Sequence, residues 1–124
     1  MQKARHILKS RFGFEEFRLD QEKAIQAVLN KKDVLVLMPT GGGKSLCYQI
    51  PALLFSGLTV VISPLISLMR DQVSALKVNG IPSAFLNSTL TDSEQSTLLA
   101  RVRKKEIKLL YLAPERFFSQ EESF

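Results

Sequence analysis

A chain of 124 residues, 45% of them hydrophobic, holds enough apolar material for one core and not two; at this length folding hides roughly two-thirds of the unfolded surface. Its 17 basic residues against 12 acidic ones leave a charge of +5, a sign that suits a polyanionic partner and equally an ordinary charged surface. A single cysteine, Cys47, excludes an internal disulfide, the lone His6 excludes a histidine metal cluster, and no apolar run approaches the roughly 18 residues of a membrane helix.

The N-terminal stretch MQKARHILKSR is too charged for a secretion signal, so the chain reads as cytosolic or nuclear. Gln2–Phe12 is mildly helical and Gly13 interrupts it. A second helix is predicted from Gln21 to about Asn30, with Asp20 as its cap, Leu19 stapled onto Ala24, and Ile25, Val28 and Leu29 as its apolar face. Asp33–Met38 is a nearly unbroken aliphatic run, as expected of a strand buried on both faces. Lys44–Phe55 is helical, with Leu46, Cys47, Ile50, Leu53 and Leu54 on one side and Pro51 removing a backbone bond. Leu58–Ile62 is the next strand.

Ser63-Pro64 then opens a helix that runs to Asn79-Gly80, with Leu65, Met69, Val73 and Leu76 at helical spacing. A short strand follows at Ser83–Leu86. Thr91-Asp-Ser-Glu94 is a capping-box pattern that starts a helix reaching about Lys104, and Lys108–Ala113 is a last strand ended by Pro114. Four apolar strands separated by helices describe a parallel, doubly wound α/β sheet.

The chemistry sits in Met38-Pro-Thr-Gly-Gly-Gly-Lys-Ser45, between the aliphatic strand and a helix. Glycines at 41, 42 and 43 let backbone N–H groups turn toward a triphosphate without side chains in the way, and Thr40 begins that turn. The helix start adds partial positive charge. Lys44 is then placed to reach the β- and γ-phosphates, and the Ser45 hydroxyl to ligate Mg²⁺. A glycine-rich turn that merely links strand to helix is the alternative, and it leaves the lysine unexplained. The general motif has glycine six residues before its lysine, where this sequence has Met38. Cys47, one turn further on the apolar side, reads as a core residue.

Around that loop the sequence resembles the RecQ family of DNA helicases in four blocks. Phe12-Gly-Phe-Glu-Glu-Phe-Arg-Leu-Asp-Gln21 is similar to the family's adenine-binding motif, although Asp20 stands where the family usually has glycine. The resemblance implies that Phe14 and Arg18 sandwich the base and that Gln21 reads its edge, chemistry that an aromatic face, a guanidinium plane and an amide can supply. MPTGGGKSLCYQ is similar to the family's phosphate loop, methionine included. Val61-Ile-Ser-Pro-Leu-Ile-Ser-Leu-Met-Arg-Asp-Gln-Val73 and Leu109-Leu-Tyr-Leu-Ala-Pro-Glu-Arg-Phe117 resemble blocks on the family's DNA-tracking face. They imply DNA contacts from Ser63, Pro64 and Leu65 and from Glu115 and Arg116, with Asn87 of Leu86-Asn-Ser-Thr89 as a further one.

The resemblance implies the first RecA-like motor domain of an ATP- and Mg²⁺-dependent DNA helicase, acting on single-stranded or junction DNA. Residues 1–31 would form the adenine segment, 33–118 the P-loop α/β core and 119–124 a cut tail, so the sheet is expected to be incomplete at its C-terminal end. Hydrolysis in the family needs an Asp-Glu-x-His block, which this sequence lacks, so the chain alone is expected not to turn over ATP. Two other readings compete: a different P-loop enzyme such as a small-molecule kinase, against which the upstream Phe-Arg-Gln pattern speaks, and a nucleotide-binding module that never hydrolyses. Phe12 and Phe17 are expected in the core. The basic run Arg101, Arg103, Lys104, Lys105 and Lys108 reads as a solvated helix end rather than a nucleic-acid patch.

Overall fold

The computed structural model describes residues 1–38 and 43–115, in eight elements. Two compact units divide the chain, Met1–Ser56 and Gly57–Phe124.

The first unit is helical. Helix α1 (Gln2–Phe12) ends because Gly13 adopts φ 77°, a left-handed conformation that favours glycine, and its N–H closes the helix by donating to the Lys9 carbonyl at 3.1 Å. Helix α2 (Gln21–Leu29) has Asp20 at its N-cap position, yet the carboxylate makes no capping bond. Leu19 does not staple onto Ala24: its φ of 52° turns it out of line and leaves its side chain exposed. Helix α3 (Leu46–Leu54) runs through Pro51 and packs against both α1 and α2. Ala4, Leu8, Ile25, Leu46 and Ile50 form the core, with Phe12 and Phe17 packed against it as expected.

The strand predicted at Asp33–Met38 is absent: none of these residues pairs in a sheet, and Leu35 and Leu37 are 86% and 85% exposed. A continuous apolar run records an environment closed on both faces, but a strand also needs backbone partners, and no described segment pairs with this one.

The second unit carries the sheet. Strands β1 (Thr59–Ile62), β2 (Ser83–Leu86) and β3 (Leu109–Leu112) are parallel in the order β1-β3-β2, connected by helices α4 (Ile66–Val78) and α5 (Asp92–Arg103). This is the predicted parallel α/β architecture, with three strands among the described residues in place of four. Flanked on both sides, β3 is buried at every residue, whereas Val60 and Ile62 of the edge strand β1 are exposed. Ala84, Leu86, Leu98, Ile107, Leu110 and Leu112 form this unit's core, and α4 lays Met69, Val73 and Leu76 inward; Leu65, expected in that stripe, precedes the helix and is exposed. The capping box of α5 is complete: Glu94 N–H donates to Thr91 Oγ1 at 3.1 Å, and Thr91 N–H to Glu94 Oε1 at 2.8 Å.

Candidate functional site

In the first unit, the turn before α2 and the loop before α3 are tied by one side chain. Gln21 is 2% exposed. Its Oε1 accepts the Arg18 N–H at 2.8 Å, and its Nε2 donates to the Gly43 carbonyl at 3.0 Å. The same carbonyl accepts the Leu46 N–H at 3.2 Å. Gly43 is required here twice over. Its φ is 79°, and a Cβ would stand 2.4 Å from Gln21 Nε2. The sequence reading gave Gln21 to the edge of a base; the geometry gives it a second role, holding the Arg18 turn to the phosphate loop.

Phe14 is 51% exposed and Arg18 is exposed, so the aromatic face and the guanidinium are open to a ligand while Phe12 and Phe17 are packed away. Lys44 is exposed, with no ion pair to a described residue. Ser45 occupies the N-cap of α3 and its hydroxyl makes no capping bond. Gly43, whose Cβ space is already taken, a lysine without an ion pair among the described residues and a hydroxyl not used in capping fit the triphosphate and Mg²⁺ assignment. Thr40, Gly41 and Gly42, also assigned to this loop, lie outside the described residues. No group of three His, Cys, Asp or Glu side chains able to hold a metal exists among the described residues. Cys47 is buried, and desolvation pushes its thiol pKa up.

The second unit gathers the predicted DNA-side residues along one sheet edge. Ile62 and Leu86 both register with Leu112, so the three parallel strands finish in one row. Ser63, Asn87 and the Ala113–Glu115 segment follow from that row, at the carboxyl ends of the strands, where open α/β sheets bind ligands. Ser63 Oγ accepts the Leu65 N–H at 3.3 Å, so that amide is engaged, while α4 begins without a side-chain cap. Pro64, Leu65 and Glu115 are exposed; Arg116 lies outside the described residues.

Asn87 departs from its expected role as a direct contact. It is 3% exposed, and its Oδ1 accepts from the Thr89 N–H at 2.8 Å and the Thr89 hydroxyl at 2.5 Å. It shapes the loop and leaves Ser88 and Thr89 outside. The basic run 101–108 is mostly solvated: Arg101 pairs with Glu106 at 3.4 Å, and Lys108 Nζ donates to the Gly57 carbonyl at 3.3 Å.

Arg70 lies inside the Val61–Val73 block but was not singled out within it. Its guanidinium lies over the Phe85 ring, 5.9 Å from the centroid, and Nη2 donates to Thr89 Oγ1 at 3.4 Å. Inside an amphipathic helix it reads as one more solvated cation, and only contacts 15 and 19 residues away mark it out.

The family model for the DEAD/DEAH box helicases matches residues 18–123, and the chain belongs to that family. Within it the similarity is to proteins named for RecQ. The chain is 56% identical over 110 residues to the ATP-dependent DNA helicase RecQ of Haemophilus influenzae, covering 89% of this chain and 18% of that protein. Against the Bacillus subtilis ATP-dependent DNA helicase RecQ it is 48% identical over 122 residues, covering 98% of this chain and 21% of that one. The RecQ-like DNA helicase BLM of Xenopus laevis is 47% identical over 112 residues, 89% of this chain and 8% of that protein. The chain therefore spans about a fifth or less of the length of these curated relatives. Among solved structures, a hypothetical ATP-dependent RNA helicase from Sulfolobus tokodaii superimposes with a TM-score of 0.72 at 25% identity, over 95% of this chain and 35% of that one. That likeness agrees with a RecA-like helicase fold.

Proposed function

We propose that this chain is the ATP-binding portion of a RecQ-type DNA helicase that couples ATP hydrolysis to strand separation. The observation that carries the reading is the Gln21 tie: it joins the exposed Phe14–Arg18 segment to the residue next to Lys44, so base recognition and phosphate binding share one rigid connection. A small-molecule kinase has no need of that arrangement.

In this reading Phe14 and Arg18 sandwich the adenine, with Gln21 beside its edge. The phosphate loop from Thr40 to Gly43 would supply backbone N–H donors, Lys44 would neutralise phosphate charge, and Ser45 would help hold Mg²⁺. Bound ATP would supply the free energy of hydrolysis; the Asp-Glu-x-His block that brings the Mg²⁺ carboxylate and water-orienting group in the family does not occur in this sequence. Single-stranded or junction DNA runs along the edge where β1, β2 and β3 finish, past Ser63, Pro64, Leu65, the Asn87 loop and Glu115, with Arg116, outside the described residues, as a further contact. Relatives at 47–56% identity carry DNA helicase in their names, which favours DNA over RNA. No helix among the described residues is long and apolar enough to cross a membrane. The compartment is the cytoplasm if the protein is bacterial and the nucleus if it is eukaryotic.

The test uses the full-length protein with matched DNA and RNA duplexes. ATP-dependent unwinding of DNA, abolished by Lys44→Ala with the melting temperature unchanged, is the expected result. Unwinding of RNA alone, or activity retained in Lys44→Ala, refutes the assignment.

A further inference from the structure

We propose that the outer edge of β2 is a docking strip for an extended acidic peptide, which adds to the sheet as a further strand. The two faces of β2 are covered by different helices. Ser83 Oγ donates to the Val73 carbonyl of α4 at 3.5 Å, and Asn87 Nδ2 lies 3.8 Å from Met69 Sδ, so the odd residues face α4. Ala84 and Leu86 share a core with Leu98, so the even residues face α5. One groove is lined from both helices, by Val73 and Lys77 on one side and by Thr97, Leu98 and Arg101 on the other. It therefore straddles the strand's edge, with Phe85 at its floor. Its volume is about 360 Å³, inside the roughly 300–1,000 Å³ of ligand clefts.

The backbone direction sets what the groove offers. The Pro82 carbonyl accepts the Lys108 N–H at 2.8 Å and the Leu86 carbonyl accepts the Ala113 N–H at 3.4 Å, so the even residues turn their polar groups to β3. The odd residues of a parallel strand then turn theirs the other way, where no described strand lies. Ser83 is 1% exposed, which closes that end of the strip, whereas Phe85 is half-buried. The Phe85 N–H and C=O are thus the pair that a peptide main chain reaches. Charge selects the kind of peptide. Lys77 and Arg101 stand in the last turns of α4 and α5, and both are exposed. Lys77 has no ion pair among the described residues, and Arg101 has only the exposed Glu106. The one carboxylate of the lining, Glu94, is committed to the Thr91 N–H of the capping box. An apolar floor between two cations fits aliphatic side chains flanked by acidic ones. Both cations lie beside the amino ends of the strands, away from the carboxyl-end row assigned to DNA.

The probe is a fluorescent peptide, Asp-Val-Leu-Val-Asp blocked at both ends, whose binding to the full-length protein is followed by anisotropy. It should bind, and the peptide Lys-Val-Leu-Val-Lys should bind about tenfold more weakly. Lys77→Glu combined with Arg101→Glu should reverse that order. Lys77→Gln with Arg101→Gln should erase it, which keeps the test readable if the reversed pair unfolds the protein. Two further peptides carry N-methyl groups on alternate backbone nitrogens. One of them should lose binding and the other keep it, because only every second N–H of an added strand faces the neighbouring edge. Saturating single-stranded oligonucleotide should leave the peptide affinity unchanged. No binding by the full-length protein, as when another of its segments covers the edge, overturns the proposal. So does equal binding of both methylated peptides, or a charge order that the variants do not move. Displacement of the peptide by the oligonucleotide also overturns it and assigns the two cations to DNA.

Discussion

Val34-Leu-Val-Leu37 and Leu109-Leu-Tyr-Leu112 look alike in the sequence and end up opposite in the structure. The later run is β3, hydrogen-bonded on both sides and wholly buried. The earlier one pairs with nothing described and holds two leucines almost fully in solvent. Hydrophobic content is therefore not the property that makes a strand. An aliphatic run lowers the cost of burial on two faces, while its N–H and C=O groups still need partners that only other segments can provide.

The comparison breaks most sharply in the cores. Leu110→Ala should cost the 124-residue chain about 2–5 kcal/mol in urea unfolding, because the side chain is fully buried in its core cluster. Leu35→Ala in the same chain should stay within about 0.5 kcal/mol. Equal losses would mean the earlier run is buried in solution. In the full-length protein the two costs should converge, if further strands there close over residues 33–38.

A smaller effect tests what holds the loop beyond the unpaired run. The Gln21 amide holds Gly43 and the Arg18 N–H, so Gln21→Ala should lower stability by about 1–3 kcal/mol through the polar group it leaves unpaired and the lost tie. The same substitution should narrow the ATP over GTP preference in kcat/KM for the full-length protein. A melting change with the nucleotide preference intact would leave Gln21 as a tie only. Smallest is Thr91→Ala, which removes one half of the α5 capping box and should cost about 1 kcal/mol by chemical denaturation. No measurable change there would show that β3 and its neighbours hold α5 in place without the cap.

These contrasts explain what could be read in advance. Features set by residues within one turn of each other were legible: the ends of α1, the Thr91–Glu94 box and the inward stripe Met69, Val73, Leu76. The separation of exposed Phe14 from packed Phe12 and Phe17 came from the family resemblance and not from spacing. What escaped depends on distant partners. Leu19 was expected to staple locally, but its positive φ turns it outward. Gln21 meets Gly43 across 22 residues, Asn87 packs its amide against Met69, and Arg70 is picked out only by Phe85 and Thr89. The candidate site was legible as a set of residue types and opaque as a wiring of hydrogen bonds.

The strand order β1-β3-β2 imposes a sequence of events on the newborn polypeptide. Of the three described strands, the latest in the chain is the middle one in space, and β1 and β2 are not hydrogen-bonded to each other. Until residues 109–112 emerge from the ribosome, neither earlier strand has its sheet partner, and some fifty residues of α4, β2 and α5 must wait with apolar faces uncovered. Closure over such separations is entropically slow, and it leaves strand edges open to wrong pairing in the interval. For this unit, translation speed and chaperone access between Gly57 and Leu112 become part of what decides whether the sheet forms correctly.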